Sequence, residues 1–154
     1  MSDYIKYEVI VYKNGDKFWY LNGKYHREDG PALEYSNGTK YWCLNGECHR
    51  IDGPAVECTN GSKIWYQNGE LHREDGPAME YANGDKYWYK EGKYHRIDGP
   101  AVELANGDKY WYLDNIKYTE AEFKKKMAKN SKGSCEGKIV EIDGKKYTLT
   151  SLTE

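Results

Sequence analysis

The sequence predicts an all-β fold, an elongated antiparallel meander of tandem 23-residue hairpin repeats with a short C-terminal helix and a terminal hairpin. Two recurrences carry this expectation. Asn-Gly returns at Asn14, Asn37, Asn60, Asn83 and Asn106, each followed five residues on by a tryptophan (Trp19, Trp42, Trp65, Trp88, Trp111), and these are all the Trp in the chain. His-Arg returns at His26-Arg27, His49-Arg50, His72-Arg73 and His95-Arg96, each running through one Glu or Ile into Asp-Gly-Pro-Ala. A fixed period of this kind marks stacked supersecondary units that bury a shared face only against their neighbours.

The elements follow in order. Residues 1–13 form an N-terminal capping strand. Tyr4 to Lys13 aligns with the last strand of a unit, Val9 with Ala32 and Ile10 with Leu33, and closes an otherwise open edge. The repeat array occupies residues 14–118, with units starting at 14, 37, 60, 83 and 106, the last breaking off after Leu113. Within a unit, Asn22-Gly23 supplies the two positive φ angles of a type I′ turn and pairs Leu21 with Lys24, Tyr20 with Tyr25 and Trp19 with His26. Read the same way, Asn37-Gly38 pairs Tyr35 with Lys40, Glu34 with Tyr41 and Leu33 with Trp42. Leu33, Trp42 and His49 then share one face, and Glu34, Tyr41, Cys43, Cys48 and Arg50 the other. Asp-Gly-Pro is the third reversal, because Asp bonds its own downstream backbone and Pro blocks helix. Thr119-Glu120-Ala121-Glu122 is a capping box that opens a short helix over 119–130, expected as a lid on the last hairpin. Asn130 to Ser134 reads as linker, and 135–154 as a final hairpin turning at Asp143-Gly144.

At 154 residues the chain is one domain with a small appendage. A formal charge of -2 from 23 basic and 25 acidic side chains gives no global attraction to long nucleic acid or to an acidic membrane. Sixteen Tyr and five Trp against two Phe suit half-wet β surfaces, where a ring packs while its polar tip reaches water. Cys43, Cys48 and Cys58 fall in one repeat, at positions that are Tyr or Leu elsewhere, so they read as packed side chains and not as a disulfide framework. The start lacks the regions of a signal peptide and no long apolar run occurs, so a soluble cytoplasmic protein is expected, in the host cytoplasm if phage-encoded.

Repetition argues against an enzyme, since catalysis needs one asymmetric constellation and not four equal copies. His-Arg-x-Asp lacks the residue order of a kinase catalytic loop, and one His per unit does not make a metal site by spacing. No cofactor is expected. In a purely structural role, His stacks on Trp, Asp caps the reversal and Arg bridges to the repeated Glu (Glu34, Glu57, Glu80, Glu103). In a functional role, stacking sets His26, His49, His72 and His95 in one row and Arg27, Arg50, Arg73 and Arg96 in another. Beside tyrosines such as Tyr41 and Tyr87, that row offers forked donors and stacking rings for phosphates and bases. Lys124 and Lys125 on the helix could gather anions in the same way.

The 23-residue period, the Asn-Gly turns and the aromatic strand resemble MORN-type repeats. The His-Arg-x-Asp-Gly-Pro-Ala signature is similar to a subtype found in bacteriophage and bacterial proteins, over about residues 14 to 118. The departure is that MORN repeats usually carry Gly where this chain has His-Arg-x-Asp, so their lipid contacts do not carry over. Trp-Tyr-Leu-Asn-Gly also resembles the aromatic hairpin repeats with which cell-wall proteins bind choline, though without a secretion signal here. The arginine and tyrosine rows, together with the phage likeness, lead to the expectation of a non-catalytic, phage-type accessory or anti-defence factor that captures a small anionic, nucleotide-like ligand. The alternative is a protein-interaction module that blocks or scaffolds a host protein. A homodimer is a further expectation, from flat aromatic sheets with open edges.

Overall fold

In the structure, a computed structural model, residues 7–132, 139–142 and 145–148 are described. Contacts divide the chain into two units, Met1–Lys117 and Tyr118–Glu154. Twelve described strands join in one antiparallel meander sheet, and the described residues hold one short helix, towards the C-terminus.

Strand β1 (Tyr7–Val11) pairs antiparallel with β2 (Lys17–Leu21), Ile10 opposite Phe18. Next, β3 (Lys24–Tyr25) folds back on β2 across Asn22-Gly23, with Leu21 opposite Lys24 and Tyr20 opposite Tyr25, in the expected type I′ register. Asn22 and Gly23 both have positive φ, at 52° and 74°. The unit closes with β4 (Leu33–Glu34), and the following unit contributes β5 (Lys40–Tyr41) to the sheet, then a separate two-stranded ribbon of β6 (Cys43–Leu44) and β7 (Glu47–Cys48). Later units repeat this division into two sheet strands and a side ribbon, down to Tyr89–Lys90 with Lys93–Tyr94. The tryptophan is the hinge between the two. The Trp42 amide donates to Ala55 in the sheet, and its carbonyl accepts from His49 in the ribbon.

The second Asn-Gly does not form the turn expected of it. Only its glycine has positive φ (Gly38, 90°), the Tyr35 amide donates to the Thr39 carbonyl, and the Gly38 amide donates back to Tyr35. A three-residue loop results, and the register moves by one: Leu33 lies opposite Tyr41 and Glu34 opposite Lys40. An Asx bond marks the loops of this kind, from the amides of Asp16, Ser62, Asp85 and Asp108 to the side chains of Asn14, Asn60, Asn83 and Asn106. The Asn37 side chain accepts the Thr39 amide as an Asx turn, which closes the longer loop.

Because side chains alternate, a one-residue slip exchanges faces. Phe18, Leu33, Tyr41, Val56, Ile64, Met79, Tyr87, Val102 and Tyr110 are successive cross-strand partners on one face. Lys17, Glu34, Lys40, Glu57, Lys63, Glu80, Lys86, Glu103 and Lys109 are successive partners in the neighbouring row, on the other face. The apolar row is the core side: Ala32, Leu33 and Cys43 are buried together, with Phe18, Tyr25, Tyr41 and Cys48 packed on them. Leu33, Tyr41, Cys43 and Cys48 therefore share a face, against the expectation that placed Leu33 with Trp42. The alternating row pairs opposite charges directly across strands, each pair worth roughly 0.2–1 kcal/mol. The core is thin. The alanines of Gly-Pro-Ala (Ala32, Ala55, Ala78, Ala101) are fully buried, but no large side chain among the described residues is.

In the second unit the helix α1 spans Glu120–Lys132, reaching into the segment expected as linker because no breaker precedes Gly133. Its capping box forms as the sequence implies: the Thr119 amide donates to Glu122 Oε2 at 2.8 Å and the Glu122 amide to Thr119 Oγ1 at 3.3 Å. Ile139–Ile142 pairs antiparallel with Lys145–Thr148, and the turn expected at Asp143-Gly144 lies outside the described residues.

Candidate functional site

The reversal loops that join ribbon to sheet hold the repeated His-Arg-x-Asp-Gly-Pro. In every loop the arginine folds back over the tryptophan of its own unit. Cζ stands 4.2, 4.1, 3.9 and 4.0 Å from the ring centroid for Arg27 on Trp19, Arg50 on Trp42, Arg73 on Trp65 and Arg96 on Trp88. The loop glycine closes the other side. A methyl group on Gly76 would come within 2.8 Å of Arg73 Cζ, and one on Gly30 within 2.9 Å of Arg27 Cζ. Each guanidinium is thus held between an indole and a bare backbone, which is why that position is glycine although no positive φ demands it.

Hydrogen bonds complete the enclosure. Arg73 Nε donates to Asp75 at 2.9 Å, and Nη1 donates to the Pro77 carbonyl at 3.2 Å and to Glu80 at 2.9 Å. The same three partners recur for Arg27, Arg50 and Arg96. Hydrogen bonds from these arginines hold Asp29, Asp52, Asp75 and Asp98 below the usual carboxylate range. Asp is therefore an arginine partner as well as a turn residue.

The histidines do not take up ring positions on tryptophan; they reach into the next unit. Nδ1 of His26, His49 and His72 accepts the backbone amide of Asn45, Asn68 and Glu91, the first residue of the following ribbon turn, at 3.0, 3.1 and 3.2 Å, and His95 Nδ1 reaches the same place, 3.3 Å from the Asp114 amide and 2.8 Å from its carboxylate. Accepting there places the proton of the neutral His49 and His72 rings on Nε2. His26 Nε2 is buried without a hydrogen-bond partner, 3.6 Å from the Glu28 carboxylate. Ribbon backbones link in the same direction, the Arg27 amide to Cys43 and the Gly46 amide to Tyr25. On the far side of the sheet Asp16, Ser62 and Asp85 accept the amides of Ser36, Ala82 and Ala105.

The expected ligand-binding residues are therefore only partly brought together. The arginine and histidine rows exist on the loops. Tyr41 and Tyr87 sit on the opposite, apolar side, Tyr41 against Tyr35 (centroids 5.7 Å) and Tyr87 against Tyr81 (5.7 Å), where burial pushes both phenols up. Lys124 belongs to the second unit and pairs with Glu120 at 2.6 Å, while Lys125 is exposed on the same helix.

Clefts of about 380, 630 and 540 Å³ separate successive loops. Their walls repeat: the arginine of one loop, then Trp, His and Arg of the next. What changes is the residue between Arg and Asp. It is Glu28, Ile51, Glu74 and Ile97 in turn, with Ile51 80% and Ile97 66% exposed. Glu28 and Glu74 add negative charge to a row where each guanidinium already meets two carboxylates. The sequence carries this alternation in plain view, but isoleucine on a reversal loop gains meaning only once its exposure is known. Among the described residues no three or more His, Cys, Asp or Glu side chains are grouped to hold a metal ion, and no helix is long and apolar enough to cross a membrane. No protein-family model matches the chain, and neither does any curated protein.

Proposed function

We propose that the array is a non-catalytic protein-interaction module whose contact surface is the row of reversal loops. The exposure of Ile51 and Ile97 on loops otherwise tied down by the arginine enclosure is the observation that carries this proposal. Two isoleucines in equivalent loops, two repeats apart with Glu74 between them, form anchors in a polar, acidic surround, the anatomy of a protein contact patch. Capture of a small nucleotide-like anion has less support, because the guanidinium donors are turned inward to Asp, Glu and a carbonyl.

The test compares the parent protein with Ile51→Ser/Ile97→Ser as bait in bacterial lysate, beside calorimetry against linear and cyclic nucleotides. Burying an isoleucine is worth about 1.5–3 kcal/mol, so the double substitution weakens a genuine partner by roughly two orders of magnitude or more. Identical captured proteins for parent and variant, or nucleotide binding that survives in the variant, would sink the proposal.

A further inference from the structure

The ribbon position that other units fill with two rings, or with a ring and a leucine, holds two thiols in one unit. Tyr20 faces Tyr25 with ring centroids 4.8 Å apart, Tyr66 faces Leu71, and Tyr89 faces Tyr94 at 4.2 Å. In the repeat that starts at Asn37 the pair is Cys43 opposite Cys48, Sγ to Sγ 3.9 Å. Both members differ from the aromatic pattern together, so the exchange trades a ring contact for a dithiol.

The backbone places this pair in the register that a disulfide can span. The next pair along, Trp42 and His49, is hydrogen-bonded, the His49 amide donating to the Trp42 carbonyl at 3.0 Å. Antiparallel pairs alternate, so Cys43 and Cys48 form a non-hydrogen-bonded pair. Their carbonyls turn outward, Cys43 accepting from Arg27 and Cys48 from Gly69. Cα atoms in such a pair lie about 4.5 Å apart, inside the range of about 4.4–6.8 Å that a disulfide bridges. Rotation about the two Cα–Cβ bonds then brings the sulfurs into bonding distance without moving the strands.

We propose that Cys43 and Cys48 are a reversible modification site, a cross-strand dithiol oxidised by small disulfides of the glutathione type. Cys48, half-buried, is the sulfur that meets the oxidant, while Cys43 is only 4% exposed. The Cys43 S–H donated to Cys48 favours the thiolate at Cys48 and keeps the proton on Cys43. The Cys48 thiolate attacks one sulfur of the small disulfide, forming a mixed disulfide and releasing one thiolate. Cys43 then gives up its proton, and its sulfur displaces the second small thiol from Cys48. Two protein thiols are oxidised and one small disulfide is reduced to two thiols. The closed bond spans the turn at Asn45-Gly46 and fixes the ribbon that stacks on Tyr25 and Cys48's neighbour Gly69.

Trypsin makes the assay direct, because cleavage after Lys40 and Arg50 releases Tyr41–Arg50 with both cysteines in one peptide. The native full-length protein is incubated with glutathione disulfide, quenched in acid, alkylated with iodoacetamide and digested without reduction. The expected product is Tyr41–Arg50 unalkylated and lighter by two hydrogen atoms, with Cys58 alkylated, and dithiothreitol before the quench restores double alkylation. With Cys48→Ser the peptide carries one alkylated cysteine and no glutathione. A doubly alkylated Tyr41–Arg50 from the treated parent, glutathione retained on Cys48, or a bond from Cys48 to Cys58 would each overturn the proposal. The parent protein alone supplies these outcomes, so they do not depend on the variant folding.

Discussion

Replacing Gly76 by alanine isolates the arginine enclosure. The new methyl would lie 2.8 Å from Arg73 Cζ, 3.0 Å from Nε and 3.1 Å from Nη2, where carbon contacts settle at about 3.5–4.0 Å. The guanidinium cannot retreat, because the Trp65 ring already stands 3.9 Å behind it. It has to leave, giving up the ring contact, worth about 0.5–1 kcal/mol at a partly exposed site. It also loses its bonds to the Pro77 carbonyl and Glu80, each about 0.5 kcal/mol net at this exposure, together with the contact to the exposed Asp75. The total is about 1.5–2 kcal/mol. Gly76 does not have positive φ, so none of this is backbone strain. In an Arg73→Ala background the clash partner is gone, and Gly76→Ala becomes neutral or stabilising by up to about 1 kcal/mol through the unfolded chain. The assay is guanidinium unfolding followed by tryptophan fluorescence and far-ultraviolet dichroism, run as a double-mutant cycle. Equal cost for Gly76→Ala with and without Arg73 would refute the enclosure as the reason for glycine.

Two further outcomes follow from the same loops. Asp29, Asp52, Asp75 and Asp98 are held low by their arginines. A carboxyl whose folded-state pKa lies below its unfolded value of about 3.9 contributes stability that is fully present above that pH and lost as pH falls through the folded value. The denaturant midpoint should therefore be insensitive to these groups near neutrality and fall below about pH 4; a midpoint unchanged or rising there contradicts the pairing. His49→Asn keeps an acceptor where Nδ1 stood and His49→Ala removes it, so hydrogen exchange at the Asn68 amide should stay slow in the first and quicken in the second. Equal exchange rates in the two variants would show that the inter-unit bond does not protect that amide.

Much of the fold is legible in sequence order alone. The capping box and the Asn22-Gly23 register rest on contacts a few residues long, and local chemistry decides those, while the period and the capping strand are legible by alignment of one unit with the next. Asn37-Gly38 shows where this stops. The same dipeptide closes a two-residue turn in one place and a three-residue loop with an Asx bond in another, and the dipeptide alone does not say which. That single-residue slip carried Tyr41 away from the arginines and into the core row. The histidine was less readable still, since its partner lies nineteen residues on in the next unit, and nothing inside one repeat names it. The exposed isoleucines were visible as letters, but their exposure comes from how the loops stand apart.

The histidine link also explains how the array can change size. Each unit offers a ring nitrogen to the turn of its successor and an amide to the ring of its predecessor, so every junction has the same grammar. A duplicated or deleted 23-residue segment leaves all its junctions legal, and unit number becomes a free variable on which selection can act. The sentence ends where the grammar does: at Tyr118, in the place of the fifth histidine, the chain supplies a phenol ring that has no nitrogen to offer.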